Sequence, residues 1–167
     1  MGHISIIIVT VLAFSISAFG LGQKPKGGQG RVLETRTAAE NNKKRGEAFL
    51  AENRTKEGVI TLPSGLQYKI LKTGDGRRPT DTDTVEVHYR GTLIDGTQFD
   101  SSQAGQPSIL KVTAVISGWR EALKLMPIGS KWQLFIPPQL AYGGRRASPV
   151  IGPNETLIFE LELVGIK

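Results

Sequence analysis

Leu157, Phe159, Leu161 and Leu163 recur at every second position, and only an extended strand gathers such a series onto one face. A chain that carries this face must cover it with other apolar surface. Residues 85–90 alternate in the same way and lead towards Asp95-Gly96, a hairpin-type turn pair. Residues 66–71 alternate and close in the turn residues 73–76, and residues 131–136 supply a further strand. One amphipathic helix stands against these strands. Trp119, Ala122, Leu123 and Met126 fall at helical spacing, with Ser117 placed to cap the helix and Pro127 to end it. The 20 glycines and 9 prolines add turns and favour short strands over long helices. The pattern predicts an α+β fold, an antiparallel sheet whose apolar side is covered by one short helix. A length of 167 residues suffices for one such domain with additional segments.

The additional segments precede the domain, which is expected over residues 62–167. Residues 4–21 carry no charge and are apolar all round, so residues 1–22 read as a segment that enters a membrane, either a cleaved export signal or a retained anchor. The thiol that a bacterial lipoprotein needs is missing after this run. Residues 23–34 have the polar, glycine-rich composition of a flexible linker. Residues 35–58 are rich in helix formers, but their apolar members Ala48, Phe49, Leu50 and Ala51 are bunched rather than periodic, and Gly46 interrupts them. They are expected to form a solvated helical spacer. Asn53 and Asn154 each open an Asn-x-Thr sequon.

Composition removes several chemistries. With no cysteine, disulfides, thiolate nucleophiles and cysteine-ligated zinc are excluded. His3 and His88 are the sole imidazoles, too few for a histidine metal site or a catalytic triad, so no metal and no cofactor are expected. The net charge of +6 is dispersed, and its densest run, Lys43-Lys44-Arg45, lies among glutamates with no aromatic residue interleaved. That describes a solvated surface rather than a nucleic-acid site. Sequence motifs for acyl transfer, zinc hydrolysis and phosphate binding are missing as well. What remains is aromatic and aliphatic surface: Tyr89, Phe99, Trp119, Tyr142 and Phe159, with Val115, Ile116 and Ile151 between them.

Four motifs then occur in one order: VHYRGTLIDGTQFDSS (87–102), VISGW (115–119), GSKWQLFIPPQLAYG (129–143) and GPNETLIFELEL (152–163). Together they resemble the FKBP-type peptidyl-prolyl cis-trans isomerases over about two-thirds of the chain. The stretch 39–67 is similar to the segment before the isomerase domain in the bacterial Mip-like subgroup, in shortened form. The resemblance implies a half-barrel of antiparallel strands wrapped around the short helix, with a shallow apolar pocket between them. Trp119 would form the pocket floor, and Tyr89, Phe99, Val115, Ile116, Tyr142, Ile151 and Phe159 its walls. Asp100 and the Tyr142 hydroxyl would be the polar fixtures, and the Ile116 amide would hold a substrate carbonyl. Asp100, Tyr142, Trp119 and Phe99 thus stand as catalytic candidates. Where many members of the family place a Phe after Pro, this chain reads Pro107-Ser108-Ile109-Leu110, so Leu110 is expected to supply an aliphatic wall. Gly152 stands where a Pro is common, and Arg145-Arg146 stand beside the pocket.

Such a site suits one reaction. Rotating an X-Pro amide breaks no bond and needs only a loss of the resonance that supports a barrier of ~18–20 kcal/mol. An apolar pocket favours the less polar twisted amide, and hydrogen bonds that fit the twisted geometry add to the difference. The implied partners are proline-containing unfolded or exported polypeptides, with macrolide inhibitors as ligands of the same pocket. The implied location is the bacterial periplasm or the outer face of the inner membrane, with membrane contact through the N-terminal segment alone and a monomeric state. Asp100, Trp119 and Tyr142 favour turnover over the alternative of a chaperone or docking module that binds clients with little turnover. His88 is read as structural.

Overall fold

The alternating run near the C-terminus becomes the strand on which the sheet is assembled. In the computed structural model, which describes residues 28–167, helix α1 (Gly28–Asn53) is followed by strands β1 (Val59–Thr61), β2 (Gln67–Lys72), β3 (Thr84–Leu93), β4 (Gln98–Ser101) and β5 (Ser108–Lys111), helix α2 (Ser117–Leu123), and strands β6 (Lys131–Ile136) and β7 (Leu157–Ile166). The strands form a seven-stranded antiparallel sheet in the order β1-β2-β6-β7-β3-β4, with β5 also paired to β3. β5 takes Thr84–Val87 of β3 and β4 takes Arg90–Thr92, so the two short strands share one edge of β3 end to end. The expected α+β sheet with a single short covering helix is therefore observed.

The inner face follows the period of two. Val85, Val87, Tyr89 and Leu93 of β3 and Leu157, Phe159, Leu161 and Leu163 of β7 are buried, and α2 lays Trp119, Ala122 and Leu123 onto them. Gly118 lets α2 approach the sheet, since a Cβ there would stand 2.6 Å from Cγ2 of Ile136. The outer face is charged, with Glu160 of β7 between Arg90 at 3.6 Å and Lys131 at 3.2 Å. The β3–β4 hairpin turns where the Asp95-Gly96 pair predicts. Gly96 has φ 88°, Leu93 and Thr97 close the turn at 2.9 Å, and the Asp95 carboxylate accepts the Thr97 amide at 2.9 Å.

Several sequence expectations are corrected. β1 and β5, which the sequence pattern does not announce, are too short, at 3 and 4 residues, to show an alternation that can be told from a loop. Ser117 is the first residue of α2 rather than its cap, which falls at Ile116 without a side-chain hydrogen bond. The membrane-entering segment at 1–22 and the first part of the linker at 23–34 lie outside the described residues. From Gly28 the expected linker is already helix, consistent with the low cost of lengthening a helix once nucleated.

Nor is α1 a solvated spacer along its whole length. Asn42, Gly46, Phe49, Leu50 and Asn53 follow one helical stripe, and each meets the sheet or its loops. Gly46 is buried against Thr156, Phe49 lies 6.0 Å from Phe135, and the Leu50 carbonyl accepts Nε2 of Gln67 at 2.9 Å. Asn53, 2% exposed, donates to Oε1 of Gln67 at 2.9 Å. The stripe is invisible to apolar periodicity because glycine and asparagine hold three of its five places.

Candidate functional site

Gly91 is the residue that lets the site form. It sits on β3 opposite Phe159 of β7 and Asp100 of β4. A Cβ at Gly91 would lie 2.6 Å from the Phe99 ring and 2.7 Å from the Phe159 ring, so the missing side chain leaves room for both aromatics. Phe99 and Phe159 meet edge to face at 5.4 Å, Phe159 meets Trp119 at 5.1 Å, and Trp119 meets Tyr89 at 5.2 Å. Four rings from β4, β7, α2 and β3 thus form one continuous edge-to-face chain, the arrangement that aligns ring edges with ring faces. Trp119 lies fully buried at its centre, and its Nε1 has no hydrogen-bond partner among the described residues.

Polar groups gather at the Tyr89 end. The Tyr89 hydroxyl donates to Oδ2 of Asp100 at 3.0 Å, while the Ser101 amide donates to Oδ1 at 2.9 Å. These bonds fix the carboxylate between the strand end and the aromatic chain. The Ser102 hydroxyl accepts the Tyr89 amide at 3.1 Å and the Ser102 amide donates to the Tyr89 carbonyl at 3.0 Å, which holds the end of β4 to β3. Tyr142 belongs to this group by its electrostatics. Burial, then the nearby Asp100 charge and Tyr89, push its hydroxyl up to about 12, so it remains a proton donor.

Tyr142 arrives on the connection between β6 and β7. Gly143 donates to the Pro138 carbonyl at 2.8 Å and Asn154 to the Gly143 carbonyl at 2.8 Å, so the connection is cinched at its base. Within it the Ile151 amide donates to the Ser148 hydroxyl at 3.0 Å, and Ile151 turns inward to 1% exposure. Val115 and Ile116, at the start of α2, are also buried. The structure therefore brings Tyr89, Phe99, Asp100, Trp119 and Phe159 into direct contact, sets Tyr142 within the field of Asp100, and places Val115, Ile116 and Ile151 in the same core.

Leu110 is placed differently. It pairs with Val85, four residues along β3 from Tyr89, whereas Ser108 pairs with Val87. Its side chain belongs to the same buried core cluster as Tyr89 and Trp119, entering it beside Val85. His88 alternates away from Tyr89 and lines a groove on the outer face with Lys131, Glu160 and Glu162. Among the described residues no cluster of His, Cys, Asp and Glu is arranged to hold a metal ion. The sequon asparagines are both engaged, Asn53 with Gln67 and Asn154 with the Ala39 carbonyl at 3.1 Å.

The chain is similar to known proteins along most of its length. The family model described as FKBP-type peptidyl-prolyl cis-trans isomerase matches residues 75–164, and that of the domain amino terminal to FKBP-type peptidyl-prolyl isomerase matches residues 23–70. The chain is 54% identical over 138 residues to the outer membrane protein MIP of Legionella longbeachae, covering 82% of this chain and 59% of that one. It is 55% identical over 122 residues to the FKBP-type 22 kDa peptidyl-prolyl cis-trans isomerase of Escherichia coli K12, covering 72% and 59%. Among solved structures it is similar to FkpA from Escherichia coli, with a TM-score of 0.77 at 41% identity over 81% of this chain and 64% of that one. The peptidyl-prolyl cis-trans isomerase of Pseudomonas syringae gives 0.73 at 40% identity over 77% and 96%. The chain spans 59% of the length of each of these two curated relatives. A family model that covers residues 75–164, more than half of the chain, and relatives more than 50% identical to it establish that this chain belongs to the FKBP-type peptidyl-prolyl cis-trans isomerase family.

Proposed function

We propose that the chain accelerates cis–trans isomerisation of X-Pro bonds in polypeptides, by binding the twisted amide against the aromatic chain of Phe99, Phe159, Trp119 and Tyr89. The observation that carries this reading is the placement of the pinned Asp100 carboxylate and the protonated Tyr142 hydroxyl beside that chain. An amide moved from water to aromatic surface loses solvation of its polar resonance form, and the twisted state is the less polar of the two. In this reading the Tyr142 hydroxyl donates to the substrate, the Ile116 amide holds a carbonyl of the flanking peptide, and Asp100 keeps Tyr89 and the pocket rim in register. Val115, Ile151 and Phe159 exclude water. Each ~1.4 kcal/mol by which these contacts favour the twisted state speeds rotation tenfold.

Clients in this reading are proline-containing chains that fold after export. The charge-free segment at 4–21 and the name of the Legionella relative support an envelope location, where uncatalysed isomerisation over tens of seconds would limit folding. A macrolide that covers the Trp119 floor would compete with peptide, and the enzyme would act as a monomer. The deciding measurement is NMR exchange between the cis and trans forms of a short X-Pro peptide, with and without the protein. Faster exchange that is lost in Asp100→Ala supports the enzyme. Unchanged exchange in the presence of folded protein overturns it and leaves a client-binding module.

A further inference from the structure

Helix α1 does more than rest on the sheet, because its grip falls on the connection that carries Tyr142 and Ile151. Nδ2 of Asn42 donates to the Pro153 carbonyl at 2.9 Å, and Nδ2 of Asn154 donates back to the Ala39 carbonyl of α1 at 3.1 Å. The two bonds run in opposite directions between the same two elements, so each limits the motion the other leaves. Asn154 has φ 56°, a left-handed conformation in which asparagine is tolerated, and its own amide holds the Gly143 carbonyl at 2.8 Å. Gly152 completes the fit: a Cβ there would stand 3.1 Å from Nδ2 of Asn42, so the absence of a side chain makes the seat for that asparagine. One step beyond each end of the segment 143–150 stand Tyr142 and Ile151.

We propose that Asn42 and Asn154 are positioning residues that set the Tyr142–Ile151 connection through α1, and so set how well the site holds its substrate. The proposal rests on the isomerase reading above. Neither asparagine contacts the aromatic chain, and both act through the loop that delivers the Tyr142 hydroxyl and the Ile151 wall. Small displacements of such groups are costly because binding contacts depend steeply on position.

The test uses the full chain with Asn42→Ala, Asn154→Gly, which keeps the left-handed backbone accessible, and Asn154→Asp, which changes one side-chain NH2 to oxygen. Asn53→Ala serves as the comparison, since it loosens α1 at Gln67, away from the loop. Two quantities are read under conditions where every variant is folded: kcat and KM on an X-Pro peptide, and amide hydrogen exchange over residues 143–151. The asparagine variants at 42 and 154 are expected to lower kcat/KM by about 3- to 10-fold, chiefly through KM, and to speed loop exchange together. Asn53→Ala is expected to leave both unchanged although it lowers the unfolding midpoint. Wild-type values of either quantity in the folded Asn42 and Asn154 variants overturn the proposal, and so does an equal effect from Asn53→Ala. A wild-type chain that fails to speed isomerisation instead overturns the isomerase reading, while the exchange data still report whether α1 holds the loop.

Discussion

Tyr142 shows how one residue ties site chemistry to stability. Its hydroxyl is pushed up to about 12 by burial and by the Asp100 charge, above the ordinary value near 10. The folded protein therefore keeps this proton at pH values where the unfolded chain has lost it. The associated stability is fully present below pH ~10 and drains away as pH rises towards 12. Urea midpoints measured from pH 9 to 11.5 should fall with pH, and Tyr142→Phe should flatten that fall and remove the late step of the tyrosinate absorbance titration. Asp100→Ala should bring the Tyr142 titration to lower pH, since it removes an anion that opposes ionisation, and should lower kcat/KM by about tenfold or more through loss of the carboxylate that accepts the Tyr89 hydroxyl. At this scale the residues that meet in the candidate site are legible in part. Trp119 stood out by helical spacing and Phe159 by alternation, while Asp100 and Tyr142 came from the family motifs. Where Leu110 stands along β3 is not legible, because the register of β5 on β3, which sets where a strand residue points along its partner, is not written in a four-residue run.

At the scale of elements, α1 and its docking stripe carry the main surprise. Gly46 reads in sequence as a helix weakness, yet it is the contact that lets the helix axis approach the start of β7, with the buried Thr156 hydroxyl facing it. Gly46→Ala gains up to ~1 kcal/mol of helix propensity and loses about 1–3 kcal/mol to overpacking against Thr156. The net expectation is a lower urea midpoint, and a raised midpoint would show that the helix sits off the sheet. Asn53 and Gln67 are buried and joined by one hydrogen bond from the Asn53 amide to the Gln67 carbonyl oxygen, so Asn53→Ala strands that acceptor and should cost about 1–3 kcal/mol. The strands β3 and β7 are legible from alternation and α2 from periodicity, because their apolar side chains report which face is covered, whereas β2 is a strand as expected but leaves Ile70 and Leu71 exposed. A docking face built from glycine and asparagine reports its contacts through missing volume and through amide hydrogen bonds, and neither leaves a hydrophobic period.

For the whole molecule, the same stripe makes the helix and sheet one cooperative unit. Helical ellipticity and the fluorescence of Trp119 and Trp132 should therefore be lost at a single urea midpoint, whereas a helix that merely preceded the domain would melt first. The strand order carries a further consequence. β7 lies between β6 and β3, pairing with residues 131–136 on one side and 85–93 on the other. A polypeptide that emerges from a ribosome, or threads through a translocation channel, N-terminus first thus presents six strands without the one that joins them. Until residues 157–166 arrive, β1, β2 and β6 have no hydrogen-bonded route to β3, β4 and β5. Long-range pairing of this kind cannot be rehearsed locally. By its own topology the sheet stays in two separate groups of strands until residues 157–166 are free to join them.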